Sequence, residues 1–377
     1  MSTQYAGNDS FPSDYTIPDD GDARAAVSVN VALEALGDRT AWLKPRLDFL
    51  RQIGVQNWPY QNDGSFTFNT WAIGNADWDP FNQLWVANLY DVGGQQAWVS
   101  QLGADWTQLG SAFGATAATF ACVVVDRDTG HIYATSDSEI SDWDGASWTT
   151  GATGASFVFA TGRWFNSKAV FVGYNGAATK VGTFTTGGGW STGTTPGGVT
   201  VTDIWKSAIG GGIMLAVPGR DAVGAAVVGM TTTDGTTWVA ATIPTSASEK
   251  INDVAYAAGV FAVAVETAGG DTKVFTSTTG ATGSWTLVAT LTDKVVTSLC
   301  GVGEIFFGSF GSLSDPGLGL LSLDAGVTWR RAHGFDNLLA CGPEFIDYSG
   351  VQVLARNSAT STDIAAGSMI VGLGDEI

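Results

Sequence analysis

The sequence has few charged residues, few histidines and few cysteines for its 377 residues. Only 14% of the residues are charged, which is less than long helices with solvated faces require. The two histidines, His131 and His333, lie far apart in the chain, which disfavours a histidine metal site or a Ser-His-Asp site. Cys122, Cys300 and Cys341 form no CxxC pair and each lies in an apolar run. We therefore expect buried thiols, without a disulfide or a metal site.

Membrane segments and basic stretches are also lacking. No run approaches the about 20 apolar residues that a transmembrane helix needs, and the polar, acidic N-terminus does not resemble a secretory signal. We expect a protein made in a cytoplasm and not inserted into a membrane. The chain has 17 Lys and Arg and 36 Asp and Glu, which gives a formal net charge of −19. This charge repels nucleic-acid phosphates and anionic membranes, so neither is an expected partner.

Glycine and aromatic residues are abundant. The chain has 50 Gly, 15 Trp and 19 Phe, and 45% of its residues are hydrophobic. That apolar content excludes a disordered Gly/Ser linker. Many short strands joined by Gly-containing turns fit this composition best, as in a sandwich, a barrel or a propeller. The composition therefore predicts an all-β protein.

A repeated Trp reveals the period of the fold. Trp recurs at intervals of 42 to 48 residues, at Trp106, Trp148, Trp190, Trp238, Trp285 and Trp329. A glycine lies three residues before the Trp in five copies and two residues before it in the copy with Trp285; in chain order these are Gly103, Gly145, Gly187, Gly235, Gly283 and Gly326. A period in the forties is that of a four-stranded propeller blade. We expect each Gly to supply a positive φ in a hairpin turn, and each Trp to pack between blades.

One copy carries a family motif. Ser322, Asp324, Gly326, Thr328 and Trp329 match the SxDxGxTW Asp-box of sialidase-like and related β-propellers. Degenerate copies run from residue 231 to 238, with Asp234, and from residue 142 to 148. The resemblance implies turns on the outer part of a blade, with a structural role and away from any central pocket.

The chain after Trp329 bears on the number of blades. Residues 338–373 offer three further strands without a Gly-x-x-Trp strand, and residues 55–75 could supply the missing one. A blade that combines both ends of the chain closes the ring and removes two sheet edges. We therefore predict a propeller over residues 55–377 with seven four-stranded blades, and six blades as the alternative.

The N-terminal region has a different pattern. We expect residues 1–21 to form an extended arm and residues 22–54 a short helical segment, with Asp22 as N-cap and a break at Pro45. A seam with 3-4 spacing would pack on copies of itself or on another protein, through Val29, Leu33, Leu36, Leu43, Leu47 and Leu50. The alternative is that these helices, at about 22–43 and 45–53, cap the propeller.

The same region resembles the start of phage and prophage fibre or tail-associated proteins, in the stretch PDDGDARAAVSVNVALEALGDRTAWLK. In such proteins a small N-terminal segment attaches to the virion and a distal β-rich domain faces outward. The resemblance implies a virion location, contacts with other virion proteins through residues 1–54, and a homo-oligomer, with a trimer favoured. The propeller would then decorate the particle or recognise a glycan or protein on the host surface.

Catalytic motifs are not evident. A sialidase-like site needs three Arg around a carboxylate, yet the propeller region has six scattered Arg and no FRIP-like motif. Most Asp lie in turn sequences, and acidic loops such as that at 126–130 do not have EF-hand spacing. We predict no catalytic residues, no cofactor and no metal site.

Binding residues are a separate question. The candidates for stacking on a sugar are Trp58, Tyr60, Trp78, Trp85 and Trp143, and the first candidate loop for a partner contact is residues 75–85.

The sequence thus favours a non-enzymatic virion component that displays a propeller for structural decoration or host-surface recognition. A glycan-degrading or sialidase-like enzyme on the same fold is the first alternative. A bacterial surface propeller that binds protein or glycan is the second.

Overall fold

The structure is a computed structural model. It describes residues 3–6, 14–17, 61–67, 72–79, 82, 84–91, 94–100, 107–110, 122–135, 139–152, 157–176, 178–187, 189–202, 204–219, 222–310, 318–333, 336–345, 350–356 and 363–369. Within these ranges the elements are β-strands, and no helix is present. The helices predicted between residues 22 and 53, and their seam, lie outside the described residues.

The first half of the chain forms a hairpin, a single strand and three blades. A hairpin is formed by β1 (Thr3–Ala6) and β2 (Asp14–Ile17), and β3 (Gln61–Thr67) follows. Blade 1 contains β4 (Ala72–Asp79), β5 (Leu84–Asp91), β6 (Gly94–Ser100) and β7 (Thr107–Gln108). Blade 2 contains β8 (Val123–Val125), β9 (Ile132–Thr135), β10 (Glu139–Trp143) and β11 (Trp148–Ala152). Blade 3 contains β12 (Val158–Phe165), β13 (Lys168–Tyr174), β14 (Thr179–Thr185) and β15 (Gly189–Thr192).

The remaining strands repeat the pattern. Blade 4 contains β16 (Trp205–Gly210), β17 (Ile213–Pro218), β18 (Val228–Thr232) and β19 (Val239–Thr242). Blade 5 contains β20 (Lys250–Ala257), β21 (Val260–Glu266), β22 (Thr272–Ser277) and β23 (Thr286–Leu291). Blade 6 contains β24 (Val296–Val302), β25 (Ile305–Phe310), β26 (Leu318–Ser322) and β27 (Arg330–His333). The last strands are β28 (Asp336–Phe345), β29 (Gly350–Arg356) and β30 (Asp363–Met369).

Each blade is an antiparallel sheet whose four strands follow one another in the chain. Consecutive strands alone form six such blades. A further four-stranded sheet, which we call the composite sheet, pairs β28, β29 and β30 with β3, and Gln61 lies opposite Ser368. The predicted count of seven therefore requires the composite sheet as a blade. The all-β propeller with four-stranded blades is confirmed.

The first strands of successive sheets are neighbours around an axis. β4 contacts β8, and the contacts continue through β12, β16, β20 and β24 to β28, which also contacts β4. Since strands alternate in direction, the first-to-second and third-to-fourth turns of every blade lie on one face, which we call the turn face. The second-to-third loops and the links between blades lie on the other, which we call the connection face.

The core lies between blades. Trp329 packs with Phe306 and Leu320 of its own blade, and with Ala264 and Val274 of the preceding blade. The other described repeat tryptophans occupy equivalent clusters: Trp148, Trp190, Trp238 and Trp285. This is the packing that the sequence predicts, and it places one repeat tryptophan in each of the five joints from blades 1 and 2 to blades 5 and 6.

Candidate functional site

The Asp-box turn of blade 6 is closed by its own side chains. The Ser322 hydroxyl donates to Asp324 Oδ1 at 2.9 Å and accepts the Gly326 N–H at 2.9 Å. Asp324 also accepts the Thr328 N–H at 2.8 Å and its hydroxyl at 2.7 Å. The Trp329 indole N–H donates to the Gly326 carbonyl at 2.9 Å. Burial raises the pKa of Asp324, but the bonds from Thr328 and Ser322 outweigh it, so the pKa is lowered overall. The side chains of Ser322, Asp324 and Trp329 therefore form hydrogen bonds within the turn and stabilise it.

The blade 4 turn has the same construction. Asp234 Oδ1 accepts the N–H groups of Thr236 and Thr237, each at 2.7 Å, and the Thr232 hydroxyl at 3.0 Å. These bonds, first that from Thr237, lower the pKa of Asp234 to about 2. Gly235 has a φ of 76°, and a Cβ there would lie 2.8 Å from Val170 Cγ2 of blade 3. The turn therefore also fits against the neighbouring blade.

In blade 5 the predicted glycine, Gly283, has the expected positive φ, and a second glycine of the turn, Gly280, makes the contacts that Gly235 makes in blade 4. No atom lies near the missing Cβ of Gly283. The equivalent of Gly235 is Gly280, whose N–H donates to Ser277 Oγ at 2.8 Å and whose Cβ position faces Leu215 of blade 4. This turn is longer before Trp285, so counting back from Trp finds Gly283 and not Gly280. The Ser-x-x-Gly spacing at the end of β22 was the signal that could have identified it.

The blade 2 turn is held by the second aspartate of its motif copy, two residues after the first. Asp144 Oδ1 accepts the N–H groups of Ala146 and Ser147, each at 2.8 Å, and Gly145 has a φ of 96°. The first Asp of that copy, Asp142, is instead bound to His131. In blade 3, Gly187 has a φ of 73° and no carboxylate is involved. Gly103 and Trp106 lie outside the described residues.

The buried carboxylates of the described residues all accept hydrogen bonds within the chain. They are Asp77, Asp79, Asp126, Glu249 and Asp253. Asp253 Oδ2 accepts the Leu299 N–H of blade 6 at 2.9 Å, and Asp77 Oδ2 accepts the Val125 N–H of blade 2 at 3.1 Å. Arg127 also pairs with Asp77, at 3.2 Å. Asp77 and Asp253 thus tie the first strands of neighbouring blades together.

A polar cluster on the turn face joins blades 2 and 3. His131 Nδ1 lies 2.8 Å from Asp142 Oδ1, with both side chains mostly buried. The Tyr133 hydroxyl bonds to Asp126 Oδ2 at 3.3 Å and to Thr186 Oγ1 at 2.5 Å. Burial raises the pKa of both Tyr133 and Asp142. A His-Asp pair can orient an imidazole for proton transfer, but no hydroxyl or thiol nucleophile is bonded to this imidazole among the described residues.

Three of the five predicted sugar-stacking residues lie within the described part of the chain. Trp85 is buried and packs edge-on against Trp78, with ring centroids 5.1 Å apart. Trp143 packs against Trp148 at 5.4 Å, within a cluster of core residues. In the loop at 75–85, Asp79 accepts the Asn82 N–H and side-chain amide. Trp58 and Tyr60 lie outside the described residues. The described members therefore contribute mainly to packing.

Two of the three cysteines, Cys122 and Cys300, are buried, as predicted. Burial raises the pKa of the Cys122 thiol to about 12, so it stays protonated at neutral pH. The side chain of Cys341 lies outside the described part. Within that part, no group of three or more His, Cys, Asp or Glu could hold a metal ion. No helix there is long and apolar enough to cross a membrane.

No protein-family model matches the chain, and no curated protein matches it in sequence. Solved structures match its fold. YCF48 bound to a D1 peptide gives a TM-score of 0.57 at 15% identity, over 83% of this chain and 97% of that chain. BBS1N in complex with ARL6DN gives 0.55 at 9% identity, over 82% and 96%. A chain of the mitotic checkpoint complex gives 0.55 at 10% identity, over 85% and 97%. At these identities the likeness supports the propeller fold alone.

Proposed function

We propose that this chain is a non-enzymatic β-propeller that acts as a binding or structural module. The observation that carries the proposal is the use of its buried carboxylates: all five within the described residues accept hydrogen bonds from the chain itself. A glycosidase needs two carboxylates free to exchange protons or attack a sugar across a gap. The described acids serve instead to hold turns and to join blades.

We infer that the composite sheet completes the ring as a seventh blade. Its first strand, β28, contacts the first strands of blades 6 and 1, and β3 provides its fourth strand. In this arrangement the chain enters the propeller through the outer strand of the last blade. A segment before residue 61 would therefore be attached at the rim of the ring, where it could hold the propeller on a larger assembly.

The finer proposal is a virion component that displays the propeller through residues 1–54, as an oligomer with a trimer favoured. Its support is the resemblance of the N-terminal stretch to phage fibre proteins and the heptad-like seam. The partner would be a glycan or a protein on the host surface. Structures of similar fold include propellers in complexes with a peptide or with proteins, which supports a binding role in general.

The experiment is light scattering on the full-length chain beside a double variant, Leu33→Glu with Leu36→Glu, which places charges in the seam. We expect an oligomer for the unmodified chain and a monomer for the variant, with equal melting temperatures because the propeller is unchanged. A monomeric unmodified chain would show that residues 22–54 do not assemble the protein. The matched control is Glu34→Gln, which lies in the same segment outside the seam.

A glycan-degrading enzyme is the second candidate, and the His131–Asp142 pair is the observation that favours it. A hydrolysis screen with polysaccharides tests it directly. Activity that His131→Gln abolishes, while the melting temperature stays within a few degrees, would replace the non-enzymatic proposal.

A further inference from the structure

The connection face of blade 5 carries two ion pairs. Lys250 Nζ lies 2.9 Å from Glu266 Oε1, and Lys273 Nζ lies 2.6 Å from Glu249 Oε1. The lysine side chains are 27% and 29% exposed, whereas those of the glutamates are 15% and 7% exposed. Each lysine side chain is thus more exposed than that of the glutamate with which it pairs. Together with Asn252 and Val223 the two pairs form what we call the Lys–Glu patch.

Asn252 connects the Lys250–Glu266 pair to blade 6, and its side-chain oxygen is left without a hydrogen-bond donor among the described residues. Its Nδ2 donates to Glu266 Oε2 at 3.0 Å and to the Val296 carbonyl at 2.9 Å. Because both partners are acceptors, the amide nitrogen must face them, which fixes the orientation of the carboxamide. Its Oδ1 is buried and has no hydrogen-bond partner within the described part of the chain. A buried acceptor of this kind calls for a donor, such as a water molecule.

Apolar surface adjoins the ion pairs. Val223, in the loop between β17 and β18, is 58% exposed and forms an isolated β-bridge with Lys250. The next residue, Gly224, donates its N–H to the Glu249 carbonyl at 3.2 Å. The backbone therefore holds this valine beside both pairs. An exposed aliphatic side chain next to fixed donors and acceptors can contact the apolar C–H face of a ligand.

The charge balance of the patch selects the class of ligand. Its two lysines and two glutamates cancel, in a chain with a net charge of −19. An anionic ligand would meet the carboxylates and a cationic one the ammonium groups. A neutral hydroxyl both donates and accepts, so it can bond to each group in turn. We propose that the Lys–Glu patch binds a neutral oligosaccharide. This inference rests on the proposed function as a binding propeller and gives it a ligand class and a location.

The test is calorimetric titration of the full-length chain with neutral hexasaccharides of glucose, galactose, mannose and N-acetylglucosamine. Lys250→Met removes one ammonium group, and Val223→Asp replaces the exposed apolar side chain with a charged one. Lys168→Met is the matched control, since Lys168 Nζ bonds to the Asp234 carbonyl on the opposite face. We expect at least one hexasaccharide to bind, tenfold or more weakening by each patch variant, and less than twofold change for the control.

Three results would overturn the inference: no binding to any of the four probes, binding that both patch variants leave unchanged, or binding of a random peptide mixture in place of all four sugars. Circular dichroism melting of each variant shows whether the propeller is intact, and Val223→Asp serves where Lys250→Met reduces folding. Mass analysis of the sugars after titration separates the two proposals. Cleavage of a bound sugar would overturn the non-enzymatic function and leave the binding site standing.

Discussion

The Asp253 carboxylate accepts a hydrogen bond from the Leu299 N–H at 2.9 Å, across the joint between blades 5 and 6. Its other oxygen accepts the N–H of Val254, the residue that follows it, also at 2.9 Å. Asp77 repeats both contacts with Trp78 and Val125 at the joint between blades 1 and 2. One side chain thereby bonds to the backbone of two neighbouring first strands, close to the axis of the ring.

Asp253→Ala should lower the free energy of unfolding by about 2 kcal/mol, because two buried N–H groups lose their acceptor. Chemical denaturation of the full-length chain measures the change. The control is Asp128→Ala, at an exposed position in the blade 2 loop, which should change stability by less than about 0.5 kcal/mol. Equal effects of the two substitutions would mean that the Asp253 contact does not hold the blades together.

Gly235→Ala should destabilise the protein more than Gly187→Ala. Both glycines have a positive φ, 76° and 73°, where an L side chain costs about 1–2 kcal/mol. Only at Gly235 would the new Cβ also contact the neighbouring blade, 2.8 Å from Val170 Cγ2, whereas the Cβ position at Gly187 is open. Thermal melting of the two variants compares strain alone with strain plus a clash. If both melt at one temperature, the turn does not fit closely against blade 3.

The positions of these turns were predictable because they depend on local sequence. A Gly with a positive φ precedes the Trp in blades 2, 3, 4 and 6, as the spacing predicts. Gly283 before Trp285 in blade 5 also has the predicted positive φ, but that turn is longer, and the glycine that fits against the neighbouring blade is Gly280. The relation between Asp253 and Leu299 was not predictable, since it joins residues 46 positions apart through the packing of two sheets. The pairing of His131 with Asp142 likewise depends on strand register.

The ion pairs of the Lys–Glu patch were harder to predict from the sequence than the fold. Lys250 and Glu266 lie opposite each other only because β20 and β21 pair in the observed register, which includes an irregularity between Ile251 and Asp253. Glu249 and Lys273 are 24 residues apart and come from a link and a strand. A periodic pattern indicates which strands exist, but not which side chains meet on one face of the ring.

Acid should remove the contribution of Asp234 to stability. Its pKa is lowered from 3.8 to about 2 in the folded protein, so the carboxylate stabilises the fold above about pH 4 and loses this effect as the pH falls towards 2. Asp234→Ala should therefore lower the melting temperature at pH 7, and the difference from the unmodified chain should shrink below pH 3. The carboxylate is exposed to solvent, so we expect an effect of about 1 kcal/mol or less. A difference that is constant from pH 7 to pH 2 would contradict the role of its charge.

Deletion of β3 should open the ring. A chain that starts at residue 55 keeps Gln61–Thr67 and their pairing with β30, whereas a chain that starts at residue 68 leaves the edge of β30 uncovered. An uncovered edge exposes unpaired N–H and C=O groups and invites aggregation. We expect the first deletion to melt within a few degrees of the full-length chain, and the second to melt at a clearly lower temperature and to aggregate on heating. Scanning calorimetry with light scattering measures both properties. Identical behaviour of the two deletions would mean that β3 contributes nothing to closure, and the ring would then depend on the six blades of consecutive strands.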